Sequence, residues 1–248
     1  MSAGVDDEWL KTAAAQDYLN SILQRGKRKQ FGLLEHPSLP PQKAVSVIKY
    51  KVFVCGKASV GKSATIAKLA GTKVNKHVNE TAGIETTSLY WPVRLITNGK
   101  VVFFYLQLWD VGDNAINKFD HILPACKEDV DCILFTFSLT DRTSFVEVPH
   151  YMTRMSDGTE KPPARIVIAT KADQYIHSDI SEREIQDLSE THEVPVLRIN
   201  NLSQSFGDGY ESIKDVALVL NKLCESLWIR DQQLSTSYGA MYHQQSMV

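Results

Sequence analysis

The chain has 248 residues and a formal net charge of −2, with 43% hydrophobic and 23% charged residues; that suits one domain of ordinary size with appendages, and nothing in the global charge points to nucleic acid. Four cysteines lie scattered in apolar stretches without a CxxC pair or a histidine cluster, which argues against zinc and disulfides and for reduced, intracellular thiols. No run of about 18 apolar residues occurs, which argues against a transmembrane helix, and the acidic start Asp6-Asp7-Glu8 lacks the basic and apolar regions of a signal peptide.

Residues 1–48 form the first unit. Trp9, Leu10, Ala13, Ala14, Tyr18, Leu19, Ile22 and Leu23 recur at helical spacing, with Asp6 or Asp7 available as N-cap. Arg25, Lys27, Arg28 and Lys29 close that helix with positive charge, which suits its C-terminus and reads as a solvated end. A proline-bearing connector, FGLLEHPSLPPQK, follows. The helix reads either as a flap packing on the main domain or as a partner-binding arm.

The main domain spans residues 49–229. Tyr50 to Cys55 is a short run of β-formers that ends in Gly56-Lys57-Ala58-Ser59-Val60-Gly61-Lys62-Ser63, the pattern G-x-x-x-x-G-K-S. Gly56 and Gly61 permit backbone turns that a Cβ would obstruct, so the N–H groups from Ala58 to Ala64 can face phosphate oxygens. Lys62 is placed to reach the β- and γ-phosphates, Ser63 to bind Mg²⁺, and the helix that begins here directs its positive end at the same anion. A strand before the pattern and the helical stretch Ala64-Ala67-Lys68-Ala70 after it supply the context the pattern requires.

Beyond a loop at 71–83, Glu85 to Ile96 predicts a strand, and Pro92 places it at a sheet edge. Asn98-Gly99 predicts a hairpin turn into a returning strand from Val101 to Trp109, the one antiparallel pair expected. A second loop, Val111–Asn117, leads to a helix through about Cys126. Asp131 to Leu139 is almost continuously apolar, as in a strand covered on both faces. A helix at Arg142–Met155, a strand at Arg165–Thr170, a helix at Ser181–Thr191, a strand at Val194–Ile199 and a last amphipathic helix from Ile213 complete the pattern. Residues 230–248 are polar and are expected to be disordered. The alternation predicts a doubly wound α/β sheet with its ligand at the strand C-termini.

Three further stretches fit the same site. Thr81 lies nineteen residues after Lys62 in the loop NETAGIETT, where a hydroxyl can complete Mg²⁺ coordination once a γ-phosphate is present. Asp110 closes the strand in Leu108-Trp109-Asp110-Val111-Gly112, the place of a carboxylate that holds Mg²⁺, and the Gly112 N–H could reach the γ-phosphate. Ala169-Thr170-Lys171-Ala172-Asp173 follows a strand; a carboxylate at Asp173 accepts two hydrogen bonds from guanine N1–H and its 2-amino group, while the Lys171 stem covers base and ribose.

These residues resemble the Ras-like small GTPases, most nearly the Rab branch, from about Lys49 to Leu227. HVNETAGIETT, the WPV run, KFDHILPAC, FSLTDRTSF, KADQYIHSD, LWIRDQ and the upstream FGLLEHP look like the Rem- and Rab-like small GTPases of the ciliogenesis and planar polarity effector complex. The resemblance implies a P-loop fold with a six-stranded, mostly parallel sheet, helices on both faces and an N-terminal helical extension. It implies GTP/GDP and Mg²⁺ as ligands and Fuzzy, Inturned and Fritz-type partners. It implies a place in the cytoplasm and cytoskeleton at the basal body or centriole, and roles in building cilia, recruiting transport machinery and targeting vesicles for exocytosis.

The pattern also departs from the family. One residue is missing between Asp110 and Gly112, and whichever of Asp113 and Asn114 takes the water-orienting position, neither is a glutamine. Ala58 stands where its methyl crowds the space of an arginine finger, so weak intrinsic hydrolysis is expected. Thr170 replaces the common Asn, Val74 replaces an aromatic that covers the base, and Ile199-Asn200-Asn201-Leu202 replaces Ser-Ala-Lys, from which faster nucleotide exchange is expected. The last cysteine, Cys224, sits inside a helix, so no prenyl anchor is expected and membrane placement falls to partners or, less readily, to Arg25–Lys29. Three readings stay open: a GTP-dependent switch, a scaffold subunit that keeps GTP as a structural ligand, and a P-loop kinase or ATPase, which Asp173 disfavours.

Overall fold

The computed structural model describes residues 4–24, 27–29, 37–39, 45–74, 81, 83–113, 124, 127–156, 161–203 and 209–245, the stretch 237–245 by its backbone alone. The expected helix after the second loop, ending near Cys126, falls mostly outside them. The main strands are β3 (Ser46–Cys55), β4 (Ile84–Arg94), β5 (Val101–Val111), β6 (Cys132–Ser138), β7 (Ala164–Thr170) and β8 (Val196–Arg198), ordered β4-β5-β3-β6-β7-β8. Five run parallel; β4 alone is antiparallel, paired with β5 from Ile84↔Val111 to Arg94↔Val101. Pro92 accordingly sits on the edge strand of this sheet, where its missing N–H interrupts no ladder on the outer side.

Strand residues alternate between two cores, as a period of two requires. Val52, Val54, Leu134, Ile166 and Ile168 point to one face. There they meet α1 (Gln16–Ile22), α2 (Lys62–Ala70) and α6 (Lys214–Gln245) through Ile22, Leu69, Leu220 and Leu223. Phe53, Cys55, Phe135, Phe137 and Val167 point to the other, against α3 (Arg142–Val146), α4 (Val148–Ser156) and α5 (Glu182–His192) through Phe145, Met152 and Ile185. β6 is buried along its whole length, in keeping with its apolar run. Cys55, Cys132 and Cys224 are buried and unpaired with one another.

Four elements differ from the sequence reading. The expected N-terminal helix is two 3₁₀ turns, Trp9–Lys11 and Ala13–Ala15, followed by α1. The N-cap of the first turn is Glu8 rather than Asp6 or Asp7, although the Asp6 carboxylate accepts from Trp9 N at 3.1 Å. Thr12 breaks the run: its hydroxyl donates to Trp9 O at 2.7 Å and its backbone is extended. The helix predicted at Arg142–Met155 is divided into α3 and α4 because Pro149 has no N–H to continue the ladder. Arg28, expected in a solvated run, lies in the short strand β2 (Lys27–Arg28), which pairs with β1 (Leu23–Gln24). It is buried with its guanidinium 5.2 Å from the Trp91 ring, and burial pulls its pKa down to about 9. Finally, α6 continues through residues expected to be disordered: Arg230 donates to Asp131 Oδ1 and Pro162 O, and Asp231 accepts from Tyr50 at 2.8 Å. These polar residues hold the middle of α6 against the sheet, which a composition argument cannot detect.

The N-terminal segment lies on the domain. Val5 bridges antiparallel to Leu95, Asp6 N donates to Arg94 O, and Trp9, Leu10, Leu19 and Ile22 are buried in the core of the α1/α2/α6 face. Among the described residues no helix is long and apolar enough to cross a membrane.

Candidate nucleotide site

All five parallel strands end at the same edge, and the candidate residues follow those ends. The first loop leaves β3 at Gly56, whose φ is 145° and whose place leaves no room for a side chain: a Cβ would lie 2.1 Å from Thr136 O. Ser59 (φ 63°) and Gly61 (φ 102°) turn the chain again into the start of α2. The Lys62 ammonium fastens the loop from within, donating to Gly56 O at 2.8 Å and Lys57 O at 2.9 Å. Lys57 fastens it from behind, donating to Thr143 Oγ1 and lying 3.7 Å from Asp141 Oδ2. Asp141 caps α3, and the Thr143 hydroxyl and backbone N–H groups that it accepts hold its carboxyl below the usual range. Ala58, Ser59, Val60, Gly61, Lys62, Ser63 and Ala64 line one wall of a cavity of about 820 Å³.

Ser63, Thr81 and Asp110 come together at the mouth of α2. Ser63 Oγ and Thr81 Oγ1 are 3.1 Å apart, and both hydroxyls bond Asp110 Oδ2, Thr81 at 3.0 Å. Asp110 is 3% exposed, and its Oδ1 is buried with no hydrogen-bond partner. A buried carboxylate oxygen left without a donor calls for a cation or its water. One carboxylate and two hydroxyls form a hard, all-oxygen donor set with places left for phosphate and water, which fits Mg²⁺. Among the described residues no group of three His, Cys, Asp or Glu forms a metal cage of its own.

At the other end of the cavity, Lys171 takes the left-handed conformation (φ 55°) and Asp173 lies exposed on the lining, open to a ligand. Thr170 is fully buried and donates to Val60 O at 2.5 Å and Phe137 O at 3.1 Å, so this residue ties the base end to the phosphate loop rather than facing the cavity. Val74, Lys73 and Thr72 also line the cavity. Two placements differ from expectation. The Gly112 N–H donates to Gly83 O at 3.2 Å, joining the loop of Thr81 to the loop after Asp110. The Asp113 carboxylate accepts from the Tyr151 hydroxyl of α4 at 2.9 Å; Asn114 lies outside the described residues. Burial, then Asp113, pushes the Tyr151 phenol up, so it stays a donor.

Sequence reasoning missed several residues at the site. Lys57 carries no signal of its own. Glu85 and Thr87 reach the cavity lining from β4. Asn201 donates to Thr65 Oγ1 of α2 at 3.0 Å, where only the loss of Ser-Ala-Lys had been legible.

Comparison with known proteins agrees with this geometry. The sequence model of the Ras family matches residues 51–206. The chain is similar to Ciliogenesis and planar polarity effector 2 of Xenopus laevis, 46% identical over 241 residues that cover 95% of this chain and 96% of the relative. The Homo sapiens protein of that name is 42% identical over 230 residues, covering 90% and 89%. Ras-related protein Rab-27B of Bos taurus is 25% identical over 202 residues, covering 77% and 90%. With a phosphate loop at the head of the central strand and a family match across most of the sheet, the chain belongs to the Ras family.

Proposed function

We propose that the chain is a GTP-binding switch subunit that acts in cilium biogenesis, at the basal body, with planar polarity effectors of the Fuzzy, Inturned and Fritz type. Through them it recruits transport machinery and targets vesicles. The observation that carries the switch is the convergence of Ser63, Thr81 and Asp110 on one point beside the phosphate loop, with Asp110 Oδ1 left without a donor. When bound, Mg²⁺ would be held by those three residues and neutralise phosphate charge.

The chain's own residues do the rest. Lys62 offers its ammonium, the N–H groups of Ser59 to Ala64 face the phosphates, and Asp173 selects guanine with Lys171 over the base. Thr81 and Gly112 belong to two loops already joined through Gly83, so a γ-phosphate that draws in either loop reshapes both. A partner reading that surface distinguishes the two nucleotide states.

A constitutively GTP-bound scaffold is the second reading, favoured by the Asp113–Tyr151 hydrogen bond and the absence of glutamine after Gly112, both of which slow hydrolysis. The two readings part in an affinity measurement. Partner complex binding by full-length protein loaded with GDP or a non-hydrolysable GTP analogue is expected to differ at least about tenfold for a switch. Equal affinity in both states would favour the scaffold instead.

A further inference from the structure

We propose that the loop Asn200–Ser203 is a clamp on α2, and that the Asn201–Thr65 hydrogen bond at its centre sets how long a guanine nucleotide stays bound. The inference rests on the nucleotide-binding reading above and extends it to the bond by which the loop standing in place of Ser-Ala-Lys is fastened to α2.

Thr65 is a polar residue on the buried face of α2, 1% exposed, and its hydroxyl meets Asn201 Nδ2 at 3.0 Å. A buried hydroxyl needs such a partner. The Asn201 amide also lies over the end of the phosphate loop: a Cβ on Gly61 would be 3.4 Å from its nitrogen. Asn200 aims it there. Its Oδ1 accepts from Leu202 N at 2.9 Å and Ser203 N at 3.1 Å, a local turn that presents Asn201 inward and leaves Leu202 on the cavity rim.

A second fastening lies one helical turn on. Lys68 donates to Ser203 O and, at 3.2 Å, to Ser203 Oγ, and pairs with Asp215 of α6, which accepts from Ser203 Oγ at 3.1 Å. Thr65 and Lys68 are spaced i, i+3 and so share a face of α2. The loop's other end is tied to the guanine-motif segment, where Ile199 N donates to Ala169 O and Ala172 N to Ile199 O.

Asn201, Leu202 and Asp173 line the cavity together with Gly61, Lys62 and Ala67. Parting the loop from α2 to release a nucleotide breaks the Asn201–Thr65 bond, so the bond slows release.

The test loads full-length protein with fluorescent GDP in Mg²⁺ and follows release into excess GDP for wild type, Thr65→Val, Asn201→Ala and the double variant. Thr65→Val keeps the side-chain shape and removes the hydroxyl, and decides the matter alone should Asn201→Ala fail to fold. Each single variant is expected to release GDP about 3–10-fold faster, the range of one hydrogen bond. The double variant should be no faster than the faster single one, because the two residues act as a pair. Thr65→Ser should restore slow release, which a merely structural loss of packing would not allow. Release from Thr65→Val at the wild-type rate, or single effects that multiply in the double variant, overturns the clamp while leaving nucleotide binding intact. A wild-type protein that holds no guanine nucleotide overturns both.

Discussion

Asp113 is one of the two residues expected at the water-orienting position, and Ala58 the one whose methyl is expected to crowd an arginine finger. The structure turns the Asp113 carboxylate to the Tyr151 hydroxyl, 2.9 Å away on α4, and a phenol kept protonated by burial holds it there. A carboxylate so engaged does not orient water as an amide would. Ala58, within the phosphate loop, lines the cavity, where its methyl is expected to crowd an arginine supplied from outside. Both residues point the same way. Single-turnover hydrolysis by the purified protein in Mg²⁺ is expected at or below ~10⁻⁴ s⁻¹, the scale of an unassisted small GTPase. A rate about a hundred times faster would mean that another group positions the water.

At the scale of elements, the N-terminal segment is the one whose role the sequence left open. Most of its apolar positions were legible: Trp9, Leu10, Leu19 and Ile22 are buried, Tyr18 and Leu23 half-buried, whereas Ala13 and Ala14 are exposed and Ala15 is buried instead; Trp9 is 3% exposed and stacks edge-on against Tyr18 at 5.4 Å. That is the packing of a flap on the domain. Trp9→Ala is therefore expected to lower the free energy of unfolding by about 3–5 kcal/mol, read by chemical denaturation followed by circular dichroism. A partner-binding arm would lose partner affinity and keep its stability. What the sequence did not disclose in this region is local: Thr12 spends its hydroxyl on the Trp9 carbonyl and interrupts the helix, a choice that apolar spacing does not record. Pro149 was visible and marks where α3 gives way to α4. Arg230 and Asp231 looked like the start of a polar tail because their partners, Asp131 and Tyr50, are distant in sequence.

For the molecule as a whole, the alternation of strand and helix along the chain, the continuous apolar run of β6, Pro92 on the edge strand and the Asn98-Gly99 turn were enough to place six strands with helices between them. The site was legible to the same depth, because a phosphate loop, a strand-ending Asp110 and a Lys171-x-Asp173 turn are local patterns at strand ends. Its fastenings were not. Thr170 to Val60, Lys57 to Thr143 and Asn201 to Thr65 each join residues dozens of positions apart, and no spacing rule relates them. Two of them, the buried Thr170–Val60 bond and the part-buried Asn201–Thr65 bond, tie the strand ends that carry Lys171 and Asp173 to the loop and helix that carry Gly61 and Lys62.

The identity of that ligand is the point on which the account stands. Full-length protein purified in Mg²⁺ without added nucleotide, denatured and resolved by ion-exchange chromatography, is expected to yield guanosine di- or triphosphate, and Lys62→Ala to yield little or none. Recovery of an adenine nucleotide, or a wild-type protein that copurifies with none and binds no added GDP, would contradict it.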